Sequence, residues 1–196
     1  MSEAAERPAT RVLGTPRLTL VAAGVEHCQA ELAGGEQLAR LLQARVPPDW
    51  PPPLADLEAL CWYHDYLLAH PGAEGWGLWY CLSGEPRART LVGEAGFKGL
   101  PTPQGEVEVG YSVVPAAQGR GLATEAVAAL VDWAFGHNEV RVVLAHTLPD
   151  NRPSLRVLEK LGFRSDGPGI ESGTVRFLLE RAATSAFKSE SLGGTN

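Results

Sequence analysis

The chain predicts a single mixed α/β domain. Three observations carry that expectation. An alternation of strand period stands in the middle of the chain, Glu106-Val107-Glu108-Val109-Gly110-Tyr111-Ser112-Val113. Stretches with apolar residues at helical spacing lie on both sides of it, and a Gly-x-Gly turn, Gly119-Arg120-Gly121, joins a strand directly to a helix. With 196 residues, 44% of them hydrophobic and 20% charged, the chain suits one domain with one sizeable core.

In order along the chain, residues 1–15 are polar without periodicity and read as a flexible lead; residues 16–181 form the domain. Leu18-Thr19-Leu20-Val21 is a first strand. Residues 25–45 are helical, interrupted at Gly34-Gly35, with Leu38, Leu41 and Leu42 as the apolar stripe of the second half. Pro47-Pro48-Asp49-Trp50-Pro51-Pro52-Pro53 is a stiff loop, since proline supplies no amide donor. Residues 54–69 predict a helix with Leu57, Leu60, Cys61, His64 and Leu68 on one face, stopped by His70-Pro71-Gly72. Three strands follow at 77–82, 90–100 and 106–114. In the last, Glu106, Glu108, Gly110 and Ser112 share one face, and Val107, Val109, Tyr111 and Val113 the other. Residues 119–135 are a helix with a small-residue interior, and 140–146 an apolar run of the buried-strand kind. A helix over 151–161 ends at Gly162, and Phe163 and 174–179 supply the last two strands. The Ser/Gly-rich tail, 182–196, is expected to be disordered.

Composition narrows the function. No apolar run is long enough to span a membrane, and Met1-Ser2-Glu3-Ala4-Ala5-Glu6-Arg7 lacks the apolar stretch of a secretory signal, so a cytoplasmic location without membrane partners is expected. Three scattered cysteines read as reduced thiols. The five histidines show no metal-ligand spacing, so no metal is expected. A net charge of -6 argues against nucleic-acid binding.

The turn at Gly119-Arg120-Gly121 is the chemically informative segment. Glycines there let a ligand approach the backbone, and the first amides of the following helix have no internal partners. With the helix dipole they form a place for phosphate oxygens, to which Arg120 adds charge and Thr124 a hydroxyl. The turn lacks the Gly-Lys-Ser/Thr of a nucleotide P-loop, and no third glycine follows as in a dinucleotide fingerprint.

Gln118-Gly119-Arg120-Gly121-Leu122-Ala123 resembles the Gln/Arg-x-x-Gly-x-Gly/Ala signature of the GCN5-related N-acetyltransferases (GNAT). Glu108 to Val113, Thr124-Glu125-Ala126 and the later Asn151-Arg152-Pro153-Ser154 with Val157 to Phe163 look like the RimJ/RimL-like ribosomal-protein branch. The resemblance implies an α/β (α+β) GNAT fold, its mixed central sheet split by a β-bulge and helices on both faces. It implies an acyltransferase that moves an acetyl group from acetyl-CoA directly to a primary amine, either a protein N-terminus or a small molecule. A non-catalytic acyl-CoA-binding module is the alternative, and a homodimer is among the assemblies the resemblance allows.

Residue by residue, the resemblance implies that the backbone of Ser112, Val113 and Val114 bonds the pantetheine arm. Gln118, Gly119, Arg120, Gly121, Ala123 and Thr124 would hold the pyrophosphate, and Asn151 the pantetheine amide. The family often places a tyrosine as acid for the leaving thiolate, and this chain has none after Tyr111. Ser154, one helical turn past Asn151, is the catalytic candidate in its place; capping is its other reading. A carboxylate at the strand gap must take the amine's proton. Glu108 is the first choice, with Glu106 and Glu94 as alternatives. Trp50 and Glu94 are the expected acceptor-binding residues, an aromatic and an acidic group suited to a cation.

Overall fold

The computed structural model describes residues 10–53, 55 and 57–182; the expectations for residues 1–9 and 183–196 lie outside them. An edge hairpin opens the chain, β1 (Val12–Gly14) against β2 (Leu18–Ala22). Composition predicts a loose lead where β1 stands. Its three residues are too few to show an alternation, and pairing with β2 is what orders them. Two helices follow, α1 (Val25–Ala33) and α2 (Gly35–Leu42), broken at Gly34 as the glycine pair predicts.

α3 (Leu57–Ala69) forms as expected but with its inward face rotated. Leu60, Tyr63 and Leu67 are buried, whereas Leu57 is 62% and Leu68 59% exposed. Apolar spacing alone missed Tyr63, whose hydroxyl donates to the Ala23 carbonyl at 3.3 Å. Its ring lies where a side chain on Gly77 would be, 1.9 Å from a Cβ built there, so only glycine fits against it.

β3 (Leu78–Ser83), β4 (Thr90–Phe97) and β5 (Glu106–Val113) continue the antiparallel meander from β2. α4 (Leu122–Phe135) is then a crossover to β6 (Val142–Thr147), which pairs parallel to β5. α5 (Arg152–Lys160), β7 (Arg164–Pro168) and β8 (Val175–Glu180) complete the domain, with β8 inserted between β6 and β7.

Strand alternation divides the interior between the two faces of this eight-stranded sheet. Leu20, Trp79 and Val109 point toward α4 and α5, where they meet Val127, Leu130 and Leu158. Tyr80, Leu82 and Leu91 point the other way, onto Leu38, Leu42, Leu60 and Leu67 of α2 and α3. Burying each such side chain contributes about 1.5–3 kcal/mol, so the helices are held from both sides of one sheet.

Two irregularities prepare the site. β5 pairs with β6 only over Glu106–Glu108; beyond that it pairs with β4 alone, and the sheet opens. The register shift lies elsewhere, between β3 and β4: Cys81 opposes Gly93 and Leu82 opposes Leu91, which leaves Val92 as the extra residue. The shift resets the alternation of β4. Ala95 and Phe97 face α4, so Glu94 is turned toward α1 and α3. Among the described residues no helix is long and apolar enough to cross a membrane.

Candidate active site

A single 3₁₀ turn, Pro115–Ala117, leads from β5 into Gln118-Gly119-Arg120-Gly121. Gly119 and Gly121 hold φ values of 73° and 77°, a region that costs a residue with a Cβ about 1–2 kcal/mol. Gly121 is the N-cap of α4 and makes no side-chain cap bond, so the first helical amides stand open beside an exposed turn. Aligned with the helix dipole, these amides favour an anion.

The turn is fastened at both ends. Gln118 Nε2 donates to the Val113 carbonyl at 2.9 Å. Arg17 Nη1 donates to the Arg120 carbonyl at 2.8 Å, while Arg17 Nε and its backbone amide reach Glu125 at 2.6 and 2.8 Å. Thr15 adds a hydroxyl bond of 2.6 Å to the same carboxylate. Burial opposes ionisation of Glu125, but these donors outweigh it and hold its pKa below the usual carboxylate value.

At the gap, β5 exposes backbone groups in alternation. Lys98 N–H donates to the Glu108 carbonyl and Val114 N–H to the Val92 carbonyl, both at 3.0 Å. The even-numbered residues from Glu108 to Val114 therefore turn their backbone toward β4. Val109, Tyr111 and Val113 turn theirs into the gap. The expectation that Ser112 and Val114 offer main-chain bonds there is corrected by this register; of the three expected residues only Val113 faces the gap.

The far wall of the gap is the start of α5. Asn151 is its N-cap, and its Oδ1 accepts the Ser154 amide at 3.3 Å. Tyr111 spans the gap: its hydroxyl lies 2.9 Å from Ser154 Oγ and 3.2 Å from the Ser154 carbonyl. Burial raises the Tyr111 pKa, against which the Ser154 bond pulls.

On the opposite face of the sheet, between α3 and strands β4 and β5, lies a cleft of about 700 Å³. Leu57, Leu60, Tyr63 and Leu78 give it apolar walls; Glu31 and Glu94 supply carboxyl groups. Glu31, from α1, accepts from Trp50 Nε1 at 2.8 Å and from the Tyr80 hydroxyl at 2.5 Å. Burial raises its pKa even so. Glu94, opposite Ser112 in the β4–β5 register, is pushed up to about 7, first by burial and then by the charge of Glu31.

Comparison with known proteins places this geometry. The family model for the Acetyltransferase (GNAT) domain matches residues 17–164. The chain belongs to the GNAT family. Over 153 residues it is 28% identical to the uncharacterized N-acetyltransferase YjdG of Bacillus subtilis (strain 168), covering 78% of this chain and 89% of the relative. A shorter segment of 59 residues is 42% identical to the probable N-acetyltransferase YjcK of the same organism, covering 30% and 33% of the two chains. Among solved structures, an acetyltransferase from Agrobacterium tumefaciens superposes with a TM-score of 0.61 at 22% identity, covering 92% of this chain and 100% of that one. The microcin C7 self-immunity acetyltransferase MccE, solved with acetyl-CoA and AMP, superposes with a TM-score of 0.57 at 13% identity, covering 85% and 94%. The GNAT fold expected from the sequence is the fold observed, and the protein is an N-acetyltransferase of that family.

Within this GNAT domain the expected site residues separate into groups. Gln118, Gly119, Arg120, Gly121, Ala123 and Thr124 stand together at the turn, and Asn151 and Ser154 at the gap wall. Glu108 lies on the predicted strand face but outside the cleft lining. Its Oε1 is 2.5 Å from Lys98 Nζ and 3.1 Å from His146 Nδ1. Trp50 stands behind Glu31 rather than on the cleft wall. Three groups escaped sequence reasoning: Tyr111 at Ser154, Glu31 beside Glu94, and the Arg17–Glu125 clamp. Only Glu125 left a signal, as the acid in Thr124-Glu125-Ala126 just past the turn.

Proposed function

We propose that this GNAT enzyme acetylates a primary amine by direct transfer from acetyl-CoA, with Glu94 as proton acceptor. The carrying observation is a half-buried carboxyl group with a pKa near 7, set in the cleft next to the strand that borders the gap. An amine reaches an enzyme largely as ammonium and must lose a proton before its lone pair attacks. Glu94 matches that task better than Glu108, whose carboxylate is held by Lys98 and His146.

Acetyl-CoA supplies an acyl carbon activated by its thioester. The chain's residues do the rest. The amides of α4's first turn, with Gly119, Gly121, Arg120 and Thr124, take the pyrophosphate. The gap-facing backbone of Tyr111 and Val113, joined by Asn151, takes the pantetheine arm as an added strand. When nitrogen bonds to the acyl carbon and the carbon–sulfur bond breaks, the sulfur needs a proton. The Tyr111 hydroxyl, paired with Ser154 Oγ at 2.9 Å, supplies it. The RimJ/RimL-like assignment belongs to the same reading. It is supported by the turn, by Asn151 with Ser154, and by a likeness in fold to a ribosomal L7/L12 acetyltransferase, RimL, with a TM-score of 0.59 at 18% identity.

The test is stoichiometric. Purified protein, acetyl-CoA and a panel of amines and peptides should give free thiol and acetylated amine in equal amounts. CoA binding without thiol release on every acceptor reduces the protein to a binding module. Absence of CoA binding removes the whole reading.

A further inference from the structure

Gly77, Gly96 and Gly110 line the cleft. The first two are fixed by close neighbours. A Cβ on Gly77 would lie 1.9 Å from the Tyr63 ring, and one on Gly96 would lie 2.0 Å from the Gly77 carbonyl oxygen. Gly110 has no such constraint. A Cβ built there meets no heavy atom within 4 Å apart from its chain neighbours Val109 and Tyr111. Its φ lies outside the left-handed range that Gly119 and Gly121 occupy.

A glycine inside a strand weakens it, because it packs no side chain and loses more freedom on folding. Its usual reasons are a bulge, the close approach of another backbone, or a ligand. Pairing between β4 and β5 runs unbroken from Gly93–Val113 to Phe97–Val109, so Gly110 is not at a bulge. No other backbone closes on its open face. A ligand is the remaining reason. Its two strand neighbours on the cleft face are engaged: the Ser112 hydroxyl donates to the Pro53 carbonyl, and the Glu108 carboxylate holds Lys98 and His146. Between them the strand is bare. Glu108 is the last β5 residue paired with β6, so Gly110 lies at the lip of the gap. Glu94 stands on the other side, two residues along β4 from Gly96, which pairs with Gly110. An amine held at Glu94 meets an acetyl group at the gap across this bare stretch.

Resting on the acetylation reading above, we propose that Gly110 determines which primary amines are used as acceptors. The carbon atoms next to the acceptor's nitrogen lie over its bare backbone while the nitrogen reaches from Glu94 to the acetyl group at the gap. A side chain at position 110 fills the volume those carbons take. The strand is weaker for the glycine, and the acceptor is what the glycine admits.

Gly110→Ala and Gly110→Val in the full chain test this, with 2-phenylethylamine, 1,4-diaminobutane and peptides beginning with alanine or serine as acceptors. The melting temperature should hold or rise by about 1–4 °C, since neither space nor φ opposes a side chain there. Acetyl-CoA affinity by calorimetry should stay within about twofold. For the best acceptor kcat/KM should fall about 10-fold in the alanine variant and about 100-fold in the valine variant, the scale of one or more carbons misplaced in a pocket. A valine variant that keeps the parent kcat/KM overturns the assignment. One that melts below the parent gives the glycine to strand packing, and one that loses acetyl-CoA affinity gives the space to the cofactor; either result overturns it too. All three leave the acetyltransferase reading intact. If the parent turns over none of the four, that reading falls and calorimetric binding of the same amines decides. Binding to the parent at least about tenfold tighter than to the valine variant supports the assignment; equal binding, or none, overturns it.

Discussion

The donor turn and the acceptor cleft recognise their ligands by opposite means. The turn uses main chain: two glycines at positive φ, open helix amides and a clamp from Arg17 and Glu125. It is exposed and contiguous in sequence. The cleft uses side chains drawn from α1, α3, β4 and β5, and its Glu31 and Glu94 are half-buried. Backbone recognition suits a ligand shared by a whole family, because it survives changes in side chains. Side-chain recognition suits a ligand peculiar to one member, because single substitutions rewrite it.

The most severe break of that contrast is on the cleft side. Glu94→Gln should lower kcat about 1,000-fold, in the range of a lost general base, while acetyl-CoA affinity measured by calorimetry stays unchanged. An activity loss of only a few-fold would return the base role to Glu108. On the turn side, Gly121→Val should weaken acetyl-CoA binding about 100-fold. It puts a branched side chain at a φ of 77° and blocks the approach to the amides. Its effect on the choice among acceptors should be nil, which direct competition between two amines would show.

Tyr111→Phe sits between the two regions. It should cut kcat about 10-fold through the leaving thiolate and leave the acceptor KM alone. A less basic acyl thioester should recover much of that loss, and failure to recover would make Tyr111 a packing residue.

The smallest effect sharpens the cleft's electrostatics. The base must be ionised, so kcat/KM should rise with pH and level off above about 7. Glu31→Gln removes the neighbouring charge and should move that bend to lower pH. Stability runs the other way. Glu94 is raised from an ordinary 4.5 to about 7, so its folded form prefers the proton. The native state is favoured below about 4.5 and loses about 3 kcal/mol of that advantage as pH climbs through about 7. Denaturant titrations of the parent and Glu94→Gln chains at both ends of the window would show the difference.

The same contrast explains what the sequence revealed. The turn, the β5 alternation and the two sides of the sheet are patterns within a short window, and all were legible. The Glu31–Glu94 pair was not, because contact between α1 and β4 depends on the register reset at Val92. A simple alternation through Leu91 would have put Glu94 on the wrong face. The inward face of α3 was misplaced because Leu57 and Leu68 are as apolar as Leu60 and Leu67, yet exposed, and no local cue separates them. Glu108 was correctly placed on its strand, but its partners are Lys98, just past the end of β4, and His146 on β6.

The opening of the sheet beyond Glu108 has a consequence for handling the protein. An unpaired strand edge ordinarily lies at a domain's rim, where charge or proline discourages foreign strands. Here such an edge runs through the interior of the sheet, along Val109, Tyr111 and Val113, and the Gln118 side chain and the Tyr111–Ser154 bridge cross it. The seam offers the main-chain groups of β5 to an extended segment laid along it. Light scattering of the purified chain should therefore fall when acetyl-CoA is added, the outcome that pairing along this edge requires.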